Sequence, residues 1–118
     1  MTGDVAPPYI DLASHEWSDI IEQLKNDAEA RFVLDLWKHM QSAPVGALRA
    51  FGGKPYSSEP ANIAENNVIG RITKAVRGVR NVSDGHCYFW NSHAQSWDIG
   101  IMNVETLRRA MQRCEPNR

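Results

Sequence analysis

The pattern of hydrophobic and polar positions predicts, first of all, a helix over Asn67–Asn81. Apolar residues recur on one side of it at the spacing of an α-helix: Val68, Ile69, Ile72, Ala75, Val76 and Val79. Four cations, each three residues after the last, follow the other side: Arg71, Lys74, Arg77 and Arg80. The stretch therefore predicts a helix with one face in a core and a basic face turned outward.

The same periodicity predicts two helices nearer the start of the chain, over Ser14–Lys25 and Asp27–Gln41. The apolar stripe changes phase between them, and Asn26 begins a pattern similar to a capping box. We therefore expect Asn26 to cap the second helix and Ser14 to cap the first.

Two structures stay open for the next segment, Val45–Phe51, which is either a short helix begun at Pro44 or a short strand. Residues 54–60 are rich in proline and serine and predict a loop. Residues 61–65 are compatible with one further helical turn before the basic helix.

An antiparallel β-hairpin is predicted over residues 86–101. A four-residue loop at Ser92–Gln95 places Trp90 opposite Trp97 and carries the pairing on as far as Ile101. That register gathers the large side chains on one face, which indicates a hairpin with one buried side.

A final helix, capped by Asn103, is predicted after the hairpin. Its outer side carries a second group of cations: Arg108, Arg109 and Arg113. Together the elements predict one small α+β domain over residues 14–114, with four or five helices and one hairpin. An extended lead-in over residues 1–13 precedes it, and a short tail over residues 115–118 follows.

Composition places this 118-residue chain among globular domains, with 42% hydrophobic and 23% charged residues. The net charge is −1, but the residues up to Pro44 sum to −5 and the rest to +4. Such a bipolar chain offers a basic surface to an anionic partner, or its two halves neutralise each other on packing.

Several classes of protein are disfavoured by the sequence. No apolar run approaches the roughly 18 residues of a membrane span, and the start of the chain lacks the features of a secretory signal. Two cysteines give no disulfide framework. A cytoplasmic location is the simplest expectation.

Candidate metal and catalytic residues are few. His86, Cys87, His93 and Cys114 are zinc-ligand types, but their spacing fits no paired pattern. A catalytic triad could be formed by Cys87 as nucleophile, His93 as base and Asp98 as the residue that orients the base, but only if the fold brings the three together. We therefore expect no metal, no cofactor and no catalysis.

The order of elements over roughly Asp27 to Ile101 is similar to a winged helix-turn-helix domain, in which a two-stranded wing follows a recognition helix. The resemblance implies nucleic-acid binding by the basic helix. The sequence departs from that pattern in the long loop Gly52–Pro60 and in a hairpin tip without Lys or Arg.

These observations favour a non-catalytic binding domain that binds nucleic acid. The expected contact residues are Arg71, Lys74, Arg77 and Arg80, with Arg108, Arg109 and Arg113 as a second patch. The alternative is a protein-interaction module, such as a small inhibitor, an adaptor or a homodimer, that meets an acidic partner. Its interface would add the aromatic hairpin, through Trp90, Trp97 and His93. A third interpretation has the cations on an ordinary solvated face.

Overall fold

Five helices and a small antiparallel sheet form the part of the chain that the computed structural model describes, residues 9–52 and 68–114. The elements are α1 (Ser14–Gln23), α2 (Ala28–Met40), β1 (Ser42–Pro44), α3 (Val45–Gly52), α4 (Val68–Arg80), β2 (Phe89–Asn91), β3 (Ser96–Asp98) and α5 (Ile101–Cys114). The strands lie in the order β1-β3-β2. The predicted small α+β fold is confirmed, while the loop and helical turn expected over residues 54–65 lie outside the described residues.

The break between the first two helices is confirmed, but the predicted cap at Asn26 is wrong. Asn26 still belongs to the turn after α1, which the Asp27 N–H closes on Leu24 O at 2.9 Å. The chain becomes extended only at Asp27 (φ −103°, ψ 95°), whose carboxylate accepts the Ala30 N–H at 3.1 Å. Asp27 is therefore the N-cap of α2.

The predicted cap at Ser14 is also wrong, because Ser14 is the first helical residue of α1 and Ala13 precedes it. Alanine has no side-chain acceptor, so the first turn relies on Glu16, whose Oε1 accepts the Ala13 N–H at 2.9 Å. This is the carboxylate half of a capping box. The same carboxylate has a second role in the packing of α4.

The segment Val45–Phe51, for which the sequence allowed either a helix or a strand, forms the helix α3. A short strand, β1, lies just before it. Strand β1 pairs with β3 through Ser42↔Asp98, Ala43↔Trp97 and Pro44↔Ser96. Pro44 ends the strand instead of beginning the helix, which an edge strand tolerates because its outer side needs no N–H donor. The resulting order, α2-β1-α3-α4-β2-β3, is compatible with a winged-helix arrangement.

The hairpin is confirmed at its centre, where Trp90 pairs directly with Trp97. Its predicted extension to Ile101 is wrong, since the ladder ends at Phe89↔Asp98 and Ile101 begins α5. The reason is a contact from outside the hairpin: the Gly100 N–H donates to the Tyr9 hydroxyl at 2.6 Å, where the chain turns into the helix.

Asn103 does not cap α5 as predicted, because the helix has already begun two residues earlier. Its side chain is buried and holds the lead-in segment instead. Oδ1 accepts the Leu12 N–H at 2.8 Å, and Nδ2 donates to Ile10 O at 2.9 Å. Ile10 and Leu12 are thereby anchored in the core.

Helix α4 buries the side that the sequence predicts, including Val68, Ile69, Ile72, Ala75 and Val76. Both α4 and α5 pack against α1 and α2, whereas α4 and α5 make no extended contact with each other among the described residues. They therefore occupy diagonal positions, and their outward faces point to different sides of the domain.

Candidate binding surfaces

Arg71 faces acidic side chains of its own chain. Its Nε donates to Asp27 Oδ2 at 2.7 Å, and its Nη2 donates to Asp27 Oδ1 at 3.2 Å and to Glu29 Oε1 at 2.9 Å. The three side chains are only 29%, 23% and 11% exposed. Arg71 therefore ties α4 to the N-terminus of α2, where carboxylates are also favoured by the helix dipole.

Arg80 makes the corresponding contact with α1. Its Nε and Nη2 bind the two carboxylate oxygens of Glu16 at 2.7 and 2.8 Å, a bidentate pair. Nη2 also donates to Asp11 O at 3.1 Å. The last turn of α4 is thus fixed to the first turn of α1.

The other two cations of α4 differ from this pair. Arg77 donates from Nε to Gly85 O at 2.9 Å, so it holds the turn that follows the helix. Lys74 is exposed. The four cations therefore do not form one open basic surface, because Arg71, Arg77 and Arg80 are engaged by the fold itself.

The ionisation of these groups follows from their partners. The hydrogen bonds from Arg71 lower the pKa of Asp27, and those from Arg80 lower the pKa of Glu16. The same bonds raise the pKa of each arginine. Both pairs are charged at neutral pH, so the basic helix is partly neutralised by the acidic N-terminal half of the chain.

The cations of α5 lie on a different side of the domain and remain exposed. Arg108, Arg109 and Arg113 make no ion pair with a carboxylate of residues 9–52 or 68–114. Arg108 donates from Nε to Lys38 O, at the C-terminal end of α2, at 2.8 Å.

The two hairpin tryptophans are more buried than exposed. Trp97 is buried and Trp90 is half-buried, with their ring centroids 5.0 Å apart. Trp37 joins them to the core through its Nε1 donor to Trp97 O at 2.9 Å. His93 is exposed in the turn. The exposed aromatic residue of the hairpin strands is Phe89.

Phe89 belongs to a group of exposed apolar side chains that we call the sheet-edge patch: Tyr9, Phe89, Ile101 and Met102. Tyr9 links them, because its ring lies 6.3 Å from that of Phe89 and its hydroxyl accepts the Gly100 N–H beside Ile101. Ile101 and Met102 are each 59% exposed. Among the described residues β2 is an edge strand of the three-stranded sheet, so the patch lies beside an edge strand.

Sequence reasoning missed this patch. The predicted register placed Ile101 on the buried face of the hairpin, and Tyr9 was predicted to belong to an extended lead-in, with no contact to the hairpin assigned to it. Only the fold brings Tyr9 next to Phe89 and Gly100, through the parallel bridge of Tyr9 with His86. The available signal was two adjacent apolar residues, Ile101 and Met102, outside the apolar stripe of the final helix.

Cys87, His93 and Asp98 do not form a catalytic group, and the side chain of Cys114 lies outside the described part of the structure. Cys87 is fully buried, and burial raises its pKa to about 12, so the thiol stays protonated at neutral pH. His93 lies in the exposed turn, and Asp98 accepts hydrogen bonds from Asn91 and Ser96. Residues 9–52 and 68–114 contain no group of three or more His, Cys, Asp or Glu placed to hold a metal ion.

No protein-family model matches the chain, and no curated protein or solved structure does either. Of the helices in the described ranges, none has both the length and the apolar character needed to cross a bilayer.

Proposed function

We propose that the chain is a non-catalytic protein-interaction module and that the sheet-edge patch is its contact surface. The observation that carries this proposal is that two exposed aromatic residues, Tyr9 and Phe89, lie side by side, and that Tyr9 also contacts the backbone next to the exposed Ile101. Contiguous apolar patches on a soluble domain are typical of protein-binding sites. Full burial of one Ile, Met or Phe side chain stabilises a complex by about 1.5–3 kcal/mol.

The position of the patch favours a protein ligand over a phosphate backbone. None of its four residues carries a charge, whereas nucleic-acid binding depends on cations that replace counterions. Tyr and Phe are enriched at the centre of protein interfaces. As an edge strand of the sheet that the described residues form, β2 also has backbone groups with which an added strand of the partner could pair.

Paired substitutions test the proposal. In Ile101→Ser/Met102→Ser the exposed apolar groups are removed from the first turn of α5, where serine is compatible with helix initiation. The matched control is Val82→Ser, an exposed apolar residue outside the patch. We expect both proteins to fold with similar unfolding midpoints.

The readout is complex formation with a second copy of the chain, by sedimentation equilibrium, and with proteins captured from cell extract and then purified. We expect a stoichiometric complex for the wild type and for Val82→Ser, and its loss in the double variant. A complex that forms equally well with the double variant contradicts the proposal, as does the absence of any complex.

Nucleic-acid binding remains a second candidate function, favoured by the three exposed arginines of α5. If Arg108, Arg109 and Arg113 each contact a phosphate, their replacement by Gln should flatten the slope of log K against log salt on duplex DNA by about 2.7 units. Lys74→Gln/Arg77→Gln is the comparison for α4. A wild type that binds neither duplex nor single strands at low salt excludes this candidate.

A further inference from the structure

A cleft of about 460 Å³ lies between the last turn of α2 and the C-terminal half of α5. Lys38 and His39 line it from α2, and Arg108, Met111 and Gln112 line it from α5. Its volume falls within the range of small-molecule sites, which is about 300–1,000 Å³. It is separate from the sheet-edge patch, since none of the patch residues lines it.

The polar lining consists mainly of hydrogen-bond donors. Arg108 is oriented by its Nε bond to Lys38 O at 2.8 Å, which leaves the N–H groups of Nη1 and Nη2 for another acceptor. Lys38, whose side chain is 24% exposed, adds a second cationic residue to the lining, on α2. Met111, which is 9% exposed, adds an apolar surface between the two walls.

The charge around the cleft is predominantly positive. Asp35 is the carboxylate nearest to the two α2 residues of the cleft. Its Oδ1 lies 4.0 Å from Lys38 Nζ and 3.6 Å from His39 Nε2. Both distances are longer than a hydrogen bond, so these donors are not committed to it. The exposed Arg109 and Arg113 of α5 add to the positive field.

We propose that this cleft binds a phosphate ester, either a free nucleotide or a nucleotide of a nucleic-acid strand. A fixed guanidinium group and an ammonium group on facing helices suit phosphate oxygens, to which Arg binds in a bidentate manner. The Met111 surface suits the sugar or base of the ester. The site is separate from the proposed protein contact, but it shares Arg108 with the basic surface of α5 that is the candidate for binding a nucleic-acid strand.

The test is a titration of the ¹⁵N-labelled full chain with sodium pyrophosphate, adenosine monophosphate and a six-nucleotide single strand. Sodium chloride of equal ionic strength corrects for general screening. We expect saturable shifts that centre on the cleft residues of α2 and α5. Lys38→Gln and Arg108→Gln should each weaken binding about tenfold, the effect of losing one charge-assisted hydrogen bond.

The matched control is Arg31→Gln, which removes the same charge from an exposed site on α2 outside the cleft. Equal weakening by Arg31→Gln overturns the proposal, because it shows a general charge effect. The absence of saturable shifts at about 10 mM of every probe overturns it too. If adenosine monophosphate binds more tightly than pyrophosphate, contact of the nucleoside with Met111 is supported. If the oligonucleotide binds more tightly than both smaller probes, a nucleic-acid strand is supported as the source of the phosphate.

Discussion

Substitution of Arg71 by Met tests whether the basic residues of α4 serve the fold. Met keeps an apolar stem of similar length but cannot donate to Asp27 or Glu29, so two carboxylates of low exposure lose this partner. The matched control is Arg109→Met, because Arg109 is exposed and makes no ion pair with a described carboxylate.

The expected loss follows from three charge-assisted hydrogen bonds at 2.7, 3.2 and 2.9 Å. An exposed ion pair contributes about 0–1 kcal/mol, and breaking a buried pair costs about 3–5 kcal/mol. The Arg71 cluster lies between these limits, since its side chains are 11–29% exposed. We therefore expect Arg71→Met to lower the free energy of unfolding by about 2 kcal/mol, and Arg109→Met by less than about 0.5 kcal/mol.

Urea denaturation at several pH values measures both the size and the origin of this loss. The pKa of Asp27 is lowered in the folded protein, so its share of the stability is present above the unfolded pKa, about 3.9, and is lost as the pH falls through the folded pKa. The gap between wild type and Arg71→Met should be constant from pH 7 to about pH 5 and narrow below pH 4. A loss at pH 7 no larger than that of Arg109→Met would refute the reasoning.

Three further predictions concern single residues. Asp27→Ala should cost at least about 1 kcal/mol in urea denaturation, because it removes the cap of α2, whereas Asn26→Ala should be nearly neutral; equal losses contradict the cap assignment. Gly78→Ala should raise the free energy of unfolding by about 0.5–1 kcal/mol, since no atom lies within 4 Å of the added Cβ, and destabilisation contradicts this. Peptide mapping should show Cys87 alkylated at pH 8 only upon unfolding; rapid labelling of the native protein contradicts its burial.

The elements with long, regular apolar patterns could be predicted from the sequence. Helix α4 has its predicted bounds within one residue at each end, and the pairing of Trp90 with Trp97 is as predicted. In both cases the signal is local: a helical period over thirteen residues, or a loop length that fixes a register.

Features that depend on contacts distant in sequence could not be predicted in this way. Strand β1 has only three residues, and one of them is a proline. Its identity as a strand therefore comes only from its pairing with β3, more than fifty residues later in the chain. The start of α5 likewise depends on Tyr9, and the sheet-edge patch depends on the same residue. Helix periodicity identified Arg71 and Arg80 as lying outside the apolar stripe, but it could not show that acidic residues of α1 and α2 would meet them.

We expect a protein partner to bind at the sheet-edge patch and not on the basic face of α4. Amide hydrogen exchange of the full chain, alone and in the purified complex, tests this most directly. We predict that binding slows exchange most at Phe89–Asn91 and in the first turn of α5. The strongest protection along Arg71–Arg80, with residues 89–91 and 101–105 unchanged, would contradict the claim.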